Sequence, residues 1–286
     1  MKFFKMRIII YNVEHGSCCH IITPNNKHIL IDVGSKTDAS IIDHINRKYF
    51  FGHGGNIDEL IITHPHEDHI YDLPKMNQVL PPLVLQRHTG AFDITPICKD
   101  PTHIAIAESA NSMNKSYNQP IIPGTAPTDP KANGGVEFKI ISPRNEWTKK
   151  NNLNTFSSLI IVTYNRYKFV FTGDNPASIL QEMIKLNHCN LQKEIENATV
   201  LLAPHHGRAN EFCKDFFNCV NPLLSVISDK SIQHETQTNT ACLYKGRGVN
   251  IDGENRYVLT TRNDGTIAFE IIDDCWMIAI DKELLF

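Results

Sequence analysis

The sequence predicts a mixed α/β (α+β) protein in which two β-sheets pack face to face and helices cover their outer sides. Short runs rich in β-branched and aromatic residues, bounded by turn residues, occur in both halves of the chain and are typical of strands. Segments with helical spacing of apolar residues lie between them. Because no internal repeat or linker-like stretch interrupts the chain, we expect one domain over residues 1–286.

The strands are predicted from apolar alternation and from the turns that separate them. Pro24-Asn25-Asn26-Lys27 is expected to close a hairpin between the second and third strands. The segments 136–141, 157–164 and 167–172 follow one another closely and are expected to pair antiparallel. In chain order the predicted strands are 7–13, 18–23, 28–32, 57–63, 136–141, 157–164, 167–172, 198–202, 223–228, 257–260 and 266–272.

Helices are predicted where apolar residues recur every three or four positions. Ile41, Ile45 and Tyr49 form such a row, and Thr37 or Asp38 is expected to cap it. Residues 85–135 are rich in Pro, Asn, Thr and Gly, and we interpret them as an irregular surface insertion that contacts substrate. The predicted helices are 37–50, part of 70–79, 102–115, 176–186, 211–219 and 238–245.

The composition limits the classes of protein to consider. The chain is 41% hydrophobic and 21% charged, which excludes fibrous and disordered classes. Its net charge of −3 argues against a broadly basic surface but allows a local basic groove. No apolar run approaches the ~18 residues that cross a bilayer, and no signal peptide is predicted, so no membrane partner is expected. The 8 irregularly spaced cysteines predict free thiols in the cytoplasm.

A histidine-rich loop gives the strongest functional signal. His64-Pro65-His66-Glu67-Asp68-His69 directly follows the predicted strand 57–63. Imidazole nitrogens and carboxylate oxygens are the ligands of catalytic zinc, which keeps a position open for water. His64 and His66 can point the same way in an extended chain, and Asp68 and His69 can turn toward a neighbouring ion. The sequence therefore predicts a metal site at the carboxyl end of this strand.

With this H-x-H-x-D-H loop the sequence resembles the metallo-β-lactamase superfamily. Further motifs follow in the superfamily's order: Ile31-Asp32-Val33-Gly34, Phe171-Thr172-Gly173-Asp174 and Pro204-His205-His206-Gly207. The segment 154–159 (NTFSSL), His234 and the 261–267 ending (TRNDGTI) are similar to the soluble hydrolase domain of competence-type DNA-uptake proteins. Choline-phosphate esterases share this arrangement.

The resemblance implies a four-layer αββα sandwich with the site at one edge between the sheets. It also implies two divalent metal ions, zinc or alternatively manganese, and attack by a hydroxide that bridges them. By the resemblance, His64 and His66 bind the first ion, Asp68, His69 and His206 bind the second, and Asp174 bridges the two. Asp32 is expected to hold the histidine loop through hydrogen bonds, and Asp68 also counts as catalytic.

Several positions depart from the superfamily or stay open. Most members carry a third histidine for the first ion, where this chain has residues 154–158, so that site is expected to be weaker, to take Mn²⁺ or to borrow His205. His205 is interpreted as a ligand, a proton donor or a phosphate contact. His234 is either the acid for the leaving group or an inert rim residue. Asn154 and Ser157 are expected at the substrate rim, and His15 is either there or in an ordinary loop.

The leading functional hypothesis is a metal-dependent phosphodiesterase or nuclease, with nucleic acid among the expected substrates. The alternatives are hydrolysis of a small ester, lactone or phosphocholine-type substrate and a non-catalytic regulatory or defence module. The sequence does not identify a protein partner. The remaining histidines are assigned to the surface or the core: His20, His28, His44, His53, His88, His103 and His188.

Overall fold

A computed structural model describes residues 5–35, 39–91, 101–122, 124–231, 237–238 and 240–281, with only the backbone of residues 101 and 102. Its strands are β1 (Lys5–Ile10), β2 (Cys19–Ile22), β3 (His28–Ile31), β4 (Ile57–Ile61), β5 (Pro82–Gln86), β6 (Glu137–Ile141), β7 (Leu159–Tyr164), β8 (Tyr167–Phe171), β9 (Val200–Leu202), β10 (Leu224–Ile227), β11 (Val249–Ile251), β12 (Glu254–Arg256), β13 (Val258–Thr260), β14 (Thr266–Ile272) and β15 (Cys275–Asp281). Its α-helices are α1 (Ile41–Tyr49), α2 (Glu67–Ile70), α3 (Leu73–Val79), α4 (Pro101–Ser116), α5 (Pro130–Asn133), α6 (Ala177–Lys185), α7 (Leu191–Ile195), α8 (Lys214–Val220) and α9 (Thr261–Asp264).

Two large sheets face each other. Within the described residues, one has seven strands in the order β15-β14-β1-β2-β3-β4-β5, and the other has six in the order β13-β10-β9-β8-β7-β6. Ile8, Ile160 and Phe169 belong to the apolar cluster that joins the two inner faces. This cluster is the central core of the molecule.

Helices cover both outer faces. A second apolar cluster lies between the seven-stranded sheet and the helices α1, α3 and α4. A third lies between the six-stranded sheet and the helices α6, α7 and α8. The layers therefore run helix, sheet, sheet, helix, and the predicted αββα sandwich is confirmed.

Most predicted strands and helices are present, with ends that differ by a few residues. The antiparallel order of β6, β7 and β8 is as predicted. Thr37 and Asp38 lie outside the described residues, but α1 begins at Ile41 and its N-cap is Ser40, whose side chain accepts a hydrogen bond from the Asp43 amide. The predicted helix 238–245 is wrong, because the described part of it contains only a 3-10 turn over Thr240–Cys242. The seven described cysteines are free thiols, as predicted.

The interpretation of residues 85–135 as an irregular surface insertion needs correction. Leu85 lies in β5, which extends the seven-stranded sheet by pairing in parallel with β4. Ile106, Ala110 and Met113 of α4 are buried in the cluster beneath the outer helices. These parts of the segment therefore belong to the packed layers, because their apolar side chains fill the face of the sheet.

The strand directions place the functional motifs together. β3 and β4 are parallel, as are β8, β9, β10 and β13. Asp32 follows β3, the histidine loop follows β4, Asp174 follows β8 and His206 follows β9. Carboxyl ends of neighbouring parallel strands lie at one edge of a sheet, where α/β proteins bind ligands. Among the described residues, no helix is long and apolar enough to cross a membrane.

Candidate metal centre

Asp32 holds both ends of the histidine loop. Its carboxylate accepts hydrogen bonds from the Thr63 amide and the Thr63 hydroxyl, each at 2.8 Å. Its Oδ2 also lies 2.7 Å from Nδ1 of His69. Asp32 itself adopts a left-handed backbone conformation (φ 58°), which a short polar side chain tolerates. The structure thus places Asp32 where the sequence predicted a supporting residue.

Gly34 explains why the motif around Asp32 ends in glycine. The Asp68 carbonyl lies so close to Gly34 that any Cβ at this position would collide with it. Backbone hydrogen bonds from Ser17 to Asp68 (3.0 Å) and from Val33 to His69 (2.9 Å) maintain this approach. The loop that carries Asp68 and His69 is therefore packed directly on the strand end.

His64, His66 and Asp174 form one cluster of potential ligands, in which the atoms they offer all lie within 4.8 Å of one another. Nε2 of His64 is 3.0 Å from Nδ1 of His66 and 3.9 Å from Oδ2 of Asp174. His64 is buried and His66 is partly exposed. The cluster therefore opens toward solvent on the side of His66.

Asp68, His69, Asp174 and His206 form a second such cluster, which shares Asp174 with the first. Nε2 of His69 is 3.1 Å from Oδ1 of Asp174, and Nε2 of His206 is 3.2 Å from Oδ2 of Asp68. Nδ1 of His206 donates to the Ser228 carbonyl at 2.8 Å, since a carbonyl oxygen can only accept. The other nitrogen of a neutral His206 is then a bare acceptor aimed at the cluster, as a metal-binding histidine requires.

Ser157 supports the loop that carries Asp174. Its hydroxyl accepts a hydrogen bond from the Asp174 amide (3.2 Å), and its carbonyl accepts one from the Asn175 side chain (2.8 Å). Ser157 is 0% exposed, so it lies beneath Asp174 and not at the substrate rim where it was expected. The serine was placed on the wrong side because spacing does not reveal which side chains of the segment turn inward.

The backbone of the late histidine motif is strained. His205 (φ 48°), His206 (φ 53°) and Gly207 (φ 71°) adopt left-handed conformations in succession. Two such non-glycine residues cost about 1–3 kcal/mol each, and such strain is typical of functional sites. The His205 amide donates to the Gly173 carbonyl at 3.2 Å, which joins this motif to the Asp174 loop.

The charges of the centre favour a cation. Burial would raise the pKa of Asp174, but His69 and His206 hold it well below its usual range. Burial also acts to raise the pKa of Asp68, while hydrogen bonds from His15 and His206 lower it. Burial lowers the pKa of His64, with help from His69. Burial would lower the pKa of His69 and of His206, but Asp174 raises both, so in the absence of metal these rings hold protons beside the carboxylates. A metal ion would take the place of these protons, because ionised carboxylates and neutral imidazoles are the forms that bind metal ions.

These residues fit divalent metal ions. In the ion pairs of the described residues, the buried Asp32 and Asp174 and the partly buried Asp68 have only histidines as partners. Nε2 of His69 faces the Asp174 carboxylate, but it is buried and makes no hydrogen bond among the described residues. A cavity of about 20 Å³ lies among Asp32, His69, Asp174 and His206. The two clusters can thus hold metal.

The other predicted site residues surround this centre. His15 lies 3.3 Å from Oδ2 of Asp68 and packs against the His206 ring at 4.6 Å. Asn154 is buried, and it acts to raise the pKa of His66, which burial lowers. Nε2 of His205 lies 3.8 Å from Oδ2 of Asp174. His234 is outside the described residues.

Sequence reasoning missed three residues near the centre. Ser228 orients His206, Glu211 faces Nδ1 of His205 at 3.8 Å, and His103 of α4 lies 3.0 Å from Oε2 of Glu67 in the histidine loop. His103 was assigned to the background. No local pattern marks these residues, because each contact joins segments that are far apart in the chain.

The αββα sandwich and the paired His/Asp clusters define a metal-dependent hydrolase. The chain belongs to the metallo-beta-lactamase superfamily, whose family model matches residues 14–212. No curated protein matches the chain.

Solved structures of similar fold include proteins of low sequence identity. The metallo-beta-lactamase fold protein YhfI from Bacillus subtilis is 13% identical, with 93% of this chain and 99% of that chain covered and a TM-score of 0.46. A diphosphatase from the PhnP family is 12% identical, with coverage of 94% and 99% and a TM-score of 0.44. A hydrolase from Thermotoga maritima, described as Zn-dependent, is 11% identical, with coverage of 88% and 97% and a TM-score of 0.43.

Proposed function

We propose that the protein hydrolyses phosphodiesters at a binuclear site, with zinc or manganese bound by the two clusters that share Asp174. The observation that carries this proposal is the environment of His66. Burial lowers the pKa of His66, and the buried Asn154, the first residue of the segment similar to competence-type hydrolases, acts to raise it where most of the superfamily has a third histidine. The likeness to that group of DNA-degrading domains is the reason to favour a phosphodiester.

The chain's own residues have distinct tasks in this mechanism. Two bound divalent cations would lower the pKa of a water molecule and stabilise negative charge on phosphoryl oxygens. Asp32, through Thr63 and His69, keeps the histidine loop in place during this chemistry. Ser157 fixes the Asp174 loop, and Ser228 keeps the acceptor nitrogen of His206 pointed at the centre.

A local cation supports an anionic substrate despite the net charge of −3. Arg208 directly follows the late histidine motif, and its Nε is buried without a hydrogen-bond partner among the described residues. An arginine next in sequence to a metal-binding motif suits a phosphate group, since its donors match phosphate oxygens. We therefore include nucleic acid and smaller phosphodiesters in the proposed substrate class.

A direct assay tests the proposal. The protein is loaded with Zn²⁺ or Mn²⁺ and incubated with single- and double-stranded DNA, RNA, bis-p-nitrophenyl phosphate and a lactone. We expect chelator-sensitive cleavage of phosphodiesters that is lost in Asp68→Ala and Asp174→Ala. Turnover of the lactone alone would replace the proposal by ester hydrolysis, and phosphodiester cleavage unchanged in both variants would remove the mechanism.

A further inference from the structure

Glu211 connects two loops of the metal centre. It ends the 3-10 turn Ala209–Glu211, which follows the late histidine motif. Its Oε2 accepts a hydrogen bond from the Ala177 amide at 2.9 Å, at the start of α6 and three residues after Asp174. Its Oε1 lies 3.8 Å from Nδ1 of His205. One half-buried carboxylate thus faces the Asp174 loop with one oxygen and the His205 ring with the other.

Among the described residues, Glu211 is the acceptor that faces Nδ1, the inner nitrogen of the His205 ring. Nδ1 of His205 is buried and makes no hydrogen bond among the described residues. A movement of about 0.7 Å would bring it within hydrogen-bond distance of Glu211. The outer nitrogen, Nε2, lies 3.8 Å from Oδ2 of Asp174, and the side chain is 13% exposed, so substrate can reach it.

We propose that Glu211 is a positioning residue that fixes the tautomer of His205. The Glu211 carboxylate can only accept, so it holds the proton of a neutral His205 on Nδ1 and leaves Nε2 as a bare acceptor at the mouth of the metal centre. In hydrolysis Nε2 then accepts a proton from the attacking water as the water oxygen bonds to phosphorus. The same proton passes to the leaving oxygen as its bond to phosphorus breaks.

The substitution Glu211→Gln tests the tautomer directly. The Ala177 amide still needs an acceptor, so it holds the carboxamide oxygen of Gln and turns the NH₂ group toward His205. That group donates to Nδ1, and the proton of His205 must move to Nε2. Glu182→Gln, on the exposed side of α6, is the matched control because it makes the same chemical change away from the centre.

Nitrogen NMR of ¹⁵N-histidine-labelled, metal-free protein at pH 9 distinguishes the two tautomers, with His205→Gln used to assign the signal. We expect an Nδ1-protonated ring in the wild type and in Glu182→Gln, and an Nε2-protonated ring in Glu211→Gln. An Nε2-protonated wild type, or the same tautomer in wild type and Glu211→Gln, would overturn the inference. This measurement does not depend on the substrate.

A kinetic measurement, which rests on the proposed function, completes the test. With metal-loaded enzyme and bis-p-nitrophenyl phosphate, Glu211→Gln is expected to lower kcat by about 10²-fold with little change in KM, since only proton transfer is affected. A changed tautomer with unchanged kcat would overturn the assigned proton transfer. No turnover by the wild type, with the expected tautomers, would refute the phosphodiesterase proposal and leave the role of Glu211 in place.

Discussion

The buried carboxylate of Glu59 makes the stability of this protein depend on pH. Glu59 lies in β4, is 1% exposed and has the Thr128 amide as a hydrogen-bond donor at 3.1 Å. Burial raises its pKa from 4.5 to about 7, against the effect of Thr128. The folded state therefore holds the proton more tightly than the unfolded state. Stability from this group is complete below pH 4.5 and is lost as the pH rises through 7.

The substitution Glu59→Gln should remove this dependence, because Gln keeps an acceptor for Thr128 and does not ionise. From the two pKa values, the carboxylate costs roughly 1 kcal/mol at pH 5 and roughly 3 kcal/mol at pH 8. Glu59→Gln should therefore have a higher unfolding free energy than the wild type, and this difference should be larger at pH 8 than at pH 5 by roughly 2 kcal/mol.

Urea unfolding of metal-free protein in chelator, followed by tryptophan fluorescence, measures this difference at each pH. Glu137→Gln, an exposed glutamate on β6, is the matched control and should change little. A gain for Glu59→Gln that is the same at pH 5 and pH 8, or a loss at pH 8, would refute the reasoning.

Three further predictions concern the histidine loop, the metal centre and the half-buried His44. Gly34→Ala should abolish metal binding, because the Cβ of the alanine would collide with the Asp68 carbonyl. Calorimetric titration with Zn²⁺ measures the metal site, and circular dichroism shows whether the fold is kept. A variant that binds Zn²⁺ with wild-type affinity would contradict the packing argument. Asp32→Asn should weaken metal binding by about 10–100-fold while the fold persists, because Asp32 holds Thr63 and His69 in place. The same titration measures the affinity. An unchanged affinity would show that Thr63 and His69 do not need the carboxylate to keep their positions. Burial, and then Lys48 and Arg47, lower the pKa of His44 from 6.5 to about 4, so the unfolding free energy should fall as the pH drops below 6.5. Because His44 is only half-buried, solvent screening reduces the expected fall at pH 5 to about 1 kcal/mol. His44→Gln should lessen this fall in urea titrations, and an equal fall in both proteins would count against the prediction.

The sequence predicts the elements and motifs whose signals are local. The histidine loop and the Asp174 motif each follow a buried strand, so their place at a sheet edge could be inferred before any coordinates. The pattern of strands and helices predicted two packed sheets with outer helices, and the resemblance identified this arrangement as the αββα sandwich with the site at one edge. The helix α4 was predicted, but its part in the core was not, since two of the four buried side chains in its described part are alanines, which give a weak apolar signal.

The remaining features depend on contacts between distant parts of the chain. Ser157 and Asn154 are three residues apart and both are buried, yet one supports Asp174 and the other affects the pKa of His66. Glu211 and Ser228 gain their roles from Ala177 and His206 in other loops. Spacing in a single sequence carries no information about such pairs, which arise only when the strand ends come together.

The distribution of the potential ligands links the metal centre to cooperative folding. Asp68 and His206 are separated by 138 residues and follow strands of different sheets. A partly folded chain can offer the histidine loop but not the complete second cluster. Metal ions would therefore bind the folded domain in preference to partly folded states, and they would stabilise the packing of one sheet on the other. The melting temperature of the whole domain, and not the mobility of one loop, would then report how much metal is bound.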